Sequence, residues 1–298
     1  MAAAEEKERQ KALAAIAERK AVWLAIKDRN KEGLITTYFK EAAADPKHPA
    51  WEAVKTADAQ SGWLMLQHAA NSQCGVKAID ALIAAYPDAL KVATEDGKLP
   101  IHLLAQGAQL KGDTEKGSLK LLADKEGGLI SMIKGYPEAA KMADQSGMLP
   151  LHLAMKGPAP EPAVRELLAA HPVAVSQPCG EQSELPLHIA AEHKATAEAM
   201  DVLIEAHPKA ASTRTARGNL PLHFAAAAGA VDVVEALLKA HRGACRVSNQ
   251  AGMLPLQLAC EEMAPVHGGH FGLRTLRTRY GGGFRLLGRR ALSLVRTR

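Results

Sequence analysis

Gly218-Asn-Leu-Pro-Leu-His-Phe-Ala-Ala226 is the stretch whose reading decides the fold. The same register returns as Gly97-Lys-Leu-Pro-Ile-His-Leu-Leu-Ala105, Gly147-Met-Leu-Pro-Leu-His-Leu-Ala-Met155, Ser183-Glu-Leu-Pro-Leu-His-Ile-Ala-Ala191 and Gly252-Met-Leu-Pro-Leu-Gln-Leu-Ala-Cys260. A weaker copy, Gly62-Trp-Leu-Met-Leu-Gln-His-Ala-Ala70, places Met65 and Gln67 in the Pro and His positions, which makes six units. Between copies run apolar stripes at helical spacing that stop at a breaker. Leu82 to Pro87, Met132 to Pro137, Leu167 to Pro172, Leu203 to Pro208 and Val231-Val234-Leu237-Leu238 to His241 are the examples.

Each unit thus reads as a turn, a short helix opened by proline, and a second helix. Proline suits a first helical position because its missing N–H would have no intrahelical partner there. A glycine three residues earlier supplies the tight turn. Neither helix can bury its apolar stripe alone, so neighbouring units must stack. The fold class that follows is all-α, a helical solenoid built on alanine and leucine, with 47% apolar and only 4% aromatic residues.

The Leu-Pro-Leu-His-x-Ala pattern resembles the ankyrin repeat, whose signature is Thr-Pro-Leu-His-x-Ala. The unit from Gly218 to Ala244 is the nearest match and includes a glycine between its helices, Gly229. Leucine replaces the usual threonine at Leu99, Leu149, Leu185, Leu220 and Leu254, removing the hydroxyl that normally caps the first helix. A Pro-x-Ala run (Pro87 to Ala89, Pro208 to Ala210) replaces the family's Gly-Ala after the second helix, and Gly243-Ala244 alone keeps that pair. The resemblance implies a non-enzymatic protein-binding scaffold that uses its concave face and needs no cofactor. Partners are usually held at the turn tips and the exposed side of the first helices. By register those positions are Gln60 and Trp63, Glu95 and Lys98, Gln145 and Met148, Glu181 and Glu184, Arg217 and Asn219, and Met253. Trp63, Met148 and Met253 are large apolar groups at tips and are candidate hot spots. Trp63 has an alternative role in packing on the N-terminal cap.

His102, His152, His188 and His223 recur at one repeat position. Zinc needs its ligands roughly 2 Å from one ion, while stacked helices stand roughly 8–10 Å apart. The four are therefore read as structural histidines that hydrogen-bond backbone, and no metal is expected. No stretch resembles a nucleophile elbow, a cysteine-protease signature or a phosphate loop, so no catalytic residue and no small-molecule substrate is assigned. Cys74, Cys179, Cys245 and Cys260 are widely spaced and fit reduced thiols.

Three regions flank this pattern. Residues 1–55 form a helical N-terminal cap, with Leu13, Ile16, Trp23 and Ile26 on one stripe and charges elsewhere. The array spans 56–265 as about five units and a truncated sixth, with an insertion at 107–128 that spaces Pro100 and Pro150 50 residues apart against 34 to 36 elsewhere. Residues 266–298 hold eight arginines, no lysine and no acid; of the total charge of +5 they carry +8, which leaves −3 for the rest. Three readings fit this tail: a disordered arm for nucleic acid or an acidic partner, an amphipathic surface helix around Phe284 to Val295, or a translation out of its natural frame. Nucleic acid is a partner only through it. The acidic start of the chain lacks a secretory leader, and no run suits stable membrane insertion. The expectation is an intracellular protein, cytoplasmic or nuclear.

Overall fold

The computed structural model describes residues 32–42, 50–72, 74–107, 128–157 and 159–262. Residues 108–127 of the insertion, the tail at 266–298 and residues 1–31 and 43–49 of the cap lie outside them. Among the described residues there are helices and one isolated antiparallel bridge, Cys179 with Glu184, and no strand. The chain divides into two compact units, 1–145 and 146–298.

In the second unit the first helices are Pro150–Met155, Pro186–Glu192, Pro221–Ala228 and Pro255–Glu262, each opened by its proline. The second helices are Glu161–Ala170, Ala197–Ala206 and Val231–Ala240. First helices pack on first helices and second on second, in sequence order. Leu187, Ile189, Ala190, Leu203, Leu222 and Leu237 are buried between them. Small alanines at the crossings let the helices approach closely, which is why so few aromatics suffice.

The first unit repeats this scheme. Met65–Ser72 packs on Pro100–Gly107, and Val76–Ala85 packs on Gly128–Gly135. Its helix Glu32–Ala42 lies against Val76–Ala85, the place of a second helix from a preceding repeat. The short helix Ala50–Lys55 that follows takes the place of the connecting element: Ala53 and Val54 are buried as Ala89 and Leu90 are, and Thr56 N–H donates to the Ala53 carbonyl as Val92 N–H does to that of Ala89 (3.3 Å each). The described part of the cap is therefore built as the second half of a repeat.

Each second helix ends at a residue with non-helical backbone, Tyr86, Tyr136, His171, His207 or His241, near φ −145° and ψ 82°. A 3-10 helix follows in every case: Pro87–Lys91, Pro137–Lys141, Pro172–Ser176, Pro208–Ser212 and Arg242–Arg246. Proline explains four of them, since it biases the preceding residue to extended backbone and opens a helical turn. Gly243, the one glycine kept from the family's Gly-Ala pair, sits inside the fifth and is not among the residues with positive φ. Its glycine is thus not used for a left-handed turn.

The tips are tight turns closed by backbone bonds, such as Thr94 N–H to the Lys98 carbonyl (2.9 Å) and Thr215 N–H to that of Asn219 (2.9 Å). Cys179 and Glu184 close a tip one residue longer by exchanging both backbone bonds (2.9 and 3.0 Å). There Ser183 takes the left-handed conformation, φ 53°, where Gly97, Gly147, Gly218 and Gly252 stand in other tips. A left-handed L-residue costs about 1–2 kcal/mol. Ser183→Gly is expected to raise the urea midpoint by the equivalent of about 1 kcal/mol. An unchanged or lower midpoint would mean that the serine side chain supplies something the turn needs.

Candidate interaction surface and its clips

Four imidazoles and one amide fasten the repeats. The N–H of the leucine just before each first helix has no intrahelical partner. Leu149 N–H donates to Nδ1 of His152 (3.0 Å), Leu185 N–H to His188 (3.1 Å) and Leu220 N–H to His223 (3.0 Å). The opposite ring nitrogen, Nε2–H, donates to a carbonyl at the start of the next turn: Gln177 (2.9 Å), Thr213 (3.0 Å) and Met253 (3.2 Å). In the first unit His102 does the same between Leu99 N–H (3.1 Å) and the Met142 carbonyl (2.9 Å). A backbone N–H can only donate and a carbonyl can only accept, so every clip demands the neutral Nε2–H tautomer.

Gln67 performs the same task. Its Oε1 accepts from Leu64 N–H (2.7 Å) and its Nε2 donates to the Val92 carbonyl (2.9 Å). The reach back from the third helical position to the cap N–H is half of a capping box. It caps a different donor from the one that a threonine hydroxyl would take. Gln257 accepts likewise from Leu254 N–H (2.7 Å).

A second set of bonds ties tip to tip. Gln145 N–H donates to the Asp96 carbonyl (3.1 Å) and its side-chain amide to that of Glu95 (2.6 Å). In the second unit Ala216 N–H donates to the Gln182 carbonyl (2.8 Å), Gln250 N–H to that of Arg217 (3.1 Å) and the Gln250 amide to that of Ala216 (2.8 Å). Asn249 donates its amide to Asn219 Oδ1 (2.8 Å).

The remaining tip side chains divide by exposure. Gln60, Glu95, Gln145, Glu181 and Arg217 are exposed, whereas Trp63, Lys98, Met148, Glu184, Asn219 and Met253 are half-buried. Lys98 gives its ammonium to Gln106 Oε1 at the end of its own first helix (2.9 Å). Trp63 lies against the His68 ring, centroids 5.2 Å apart, and His68 in turn is 2.9 Å from Ser61 Oγ and 3.5 Å from Asp58. Burial raises the Glu184 carboxyl above the ordinary carboxylate range and Glu192 adds to the rise, while Lys156 and Arg217 oppose it. Both signs of charge thus act around Glu184, and Met148 and Met253 occupy other tips of the same unit.

The sequence reading missed the double use of tip glutamines. Gln145 and Gln250 share one register position, and that recurrence was the available signal. Among the described residues no group of three or more His, Cys, Asp or Glu is placed to hold a metal ion, and no helix is long and apolar enough to cross a membrane. All four cysteines are free thiols.

Residues 187–266 match a family model described as ankyrin repeats (3 copies). No curated protein matches the chain. Among solved structures, it is similar to a chain of the complex between the predatory endopeptidase Bd0816 of Bdellovibrio bacteriovorus and immunity protein Bd3460. That likeness has 19% identity and a TM-score of 0.48, over 66% of this chain and 91% of the other.

Proposed function

We propose that this chain, whose residues 187–266 match ankyrin repeats, is a non-enzymatic scaffold that binds a partner protein through its turn tips and the exposed side of its first helices. The observation that carries the reading is the contrast between neighbours at the tips. Leu149 and Leu185 are buried at 3% and 5% exposure, yet the residues just before them, Met148 and Glu184, stay partly exposed. Stacking does not fully consume those side chains. Partly exposed methionines at some tips and charges of both signs at others suit a protein surface with an apolar centre and a polar rim.

The tip-to-tip bonds support the same reading because a binding surface gains from being rigid before the partner arrives. Gln145 and Gln250 then act by positioning backbone, while Met148, Glu184, Arg217, Asn219 and Met253 present contact groups. Trp63, lying on His68, supplies a flat aromatic surface in the first unit.

The test is affinity purification with the full chain, followed by mapping with Trp63→Ala, Met148→Ala and Glu184→Lys against the identified partner. The apolar truncations should each weaken binding by about 2 kcal/mol or more while the melting temperature holds. For Trp63→Ala, a fall in melting temperature with binding following only indirectly would assign the ring to packing. Undiminished binding by all three variants, with loss on removal of residues 266–298 and a steep salt dependence, would move the site to the arginine-rich tail and favour nucleic acid as the ligand.

A further inference from the structure

The clips that fasten the second unit are made of groups that titrate, and their geometry tolerates one protonation state. At His188 the Leu185 nitrogen stands 3.1 Å from Nδ1, and at His223 the Leu220 nitrogen stands 3.0 Å from Nδ1. Adding a proton to Nδ1 aims an N–H at an N–H across that distance. Both are donors, and the bond becomes a repulsion. The rings are 0% and 1% exposed, so neither can turn out to water while its helices stay stacked.

We propose that the second unit is a proton-sensitive element, closed near neutral pH by the His188 and His223 clips and opened at these two repeat junctions by mild acidification. Among the described residues no carboxylate acts on either ring. His188 is met by the Phe224 ring edge-on (5.8 Å between centroids) and by backbone at Leu185, Thr213 and Asn219. The acids nearest in its own segment, Glu184 and Glu192, act on each other and not on this ring. His223 is met by backbone at Leu220, Val247 and Met253 and by the cation of Arg214, which opposes protonation further. Burial pushes His188 down to about 4 and lowers His223 as well, the backbone bonds pulling the other way.

The sign follows from linkage. A histidine whose folded pKa lies below its ordinary value near 6.5 binds its proton more strongly when the junction is open. The closed form is therefore fully favoured above about pH 6.5 and loses ground as pH falls toward the folded value of about 4. For His188 alone the open-to-closed ratio rises on the order of a hundredfold across that window. Gln67 shows what a clip without this property is like, since its amide bridges Leu64 N–H and the Val92 carbonyl and does not titrate.

The experiment is hydrogen exchange on the full chain, corrected for the intrinsic pH dependence of exchange, at about pH 7 and about pH 4.5. It compares the wild type, the double variant His188→Gln/His223→Gln and the control His193→Gln, whose ring is exposed. Wild type and control should lose protection over residues 186–192 and 221–228 on acidification, and the double variant should keep it. Equal acid loss in the double variant, or none in wild type, overturns the proposal. Should the double variant fail to fold, an NMR titration of the wild-type rings decides. Protonation of His188 near 6.5 with its helix still protected sinks the idea, and protonation only as the helices lose protection sustains it.

Discussion

Replacing His188 with alanine should destabilise the protein by about 3 kcal/mol, read as a lower urea midpoint for the second unit at neutral pH. Two losses combine. The Leu185 N–H and the Thr213 carbonyl lose the partner that each has at 3.0–3.1 Å, beside a ring that is fully buried. The ring that packs edge-on against Phe224 also disappears and leaves a cavity. His188→Gln should cost about 1 kcal/mol or less, because an amide at the third helical position can make both bonds, as Gln67 does. Equal loss in the alanine and glutamine variants would mean that ring packing, not the bridge, holds the junction. Zinc bound stoichiometrically by wild type and lost with His188→Ala at unchanged stability would overturn the structural role altogether.

Much of this architecture is legible in three copies of Leu-Pro-Leu-His and its isoleucine and glutamine variants at 99–102 and 254–257, because proline and the apolar stripe act locally and repeat in register. The connecting element is a different case. Prolines at 87, 137, 172 and 208 foretell extended backbone before them, yet His241-Arg242 adopts the same path without proline. Packing between neighbouring repeats within each unit, with Ala89, Ala139, Ala174, Ala210 and Ala244 all buried at one register position, therefore sets the shape. A single unit read in isolation does not contain that information. The half repeat in the cap is obscure for a related reason. Its Ala53-Val54 matches Ala89-Leu90, but no proline-histidine motif marks the helix before it, and only the contact of Glu32–Ala42 with Val76–Ala85 reveals its role. At the tips, sequence register places the residues but not their bonds. Gln145 reads as a surface amide free for a partner, and whether it instead reaches the Glu95 carbonyl depends on how closely the next tip approaches.

That approach rests on one atom that is missing at Gly218, which is why Gly218→Val should be among the most damaging substitutions at a tip. The residue takes φ 77°, a region that costs an ordinary residue about 1–2 kcal/mol and a β-branched one more. A Cβ there would stand 3.0 Å from the backbone nitrogen of Gln250 and 3.1 Å from its Cγ. The neighbour that must yield is backbone, held by the bond from Gln250 N–H to the Arg217 carbonyl and by the bond from its amide to Ala216. Strain and the loss of these bonds together should cost about 3 kcal/mol or more. Gly252→Val supplies the comparison, since its φ of 78° is equally left-handed but no atom lies within 4 Å of its Cβ position. It should show the backbone cost alone. If the two variants lose the same stability, the contact between the tips contributes nothing. If Gly218→Val loses more, and exchange at the Gln250 amide rises with it, the tip staple is part of what orders the surface proposed to meet a partner.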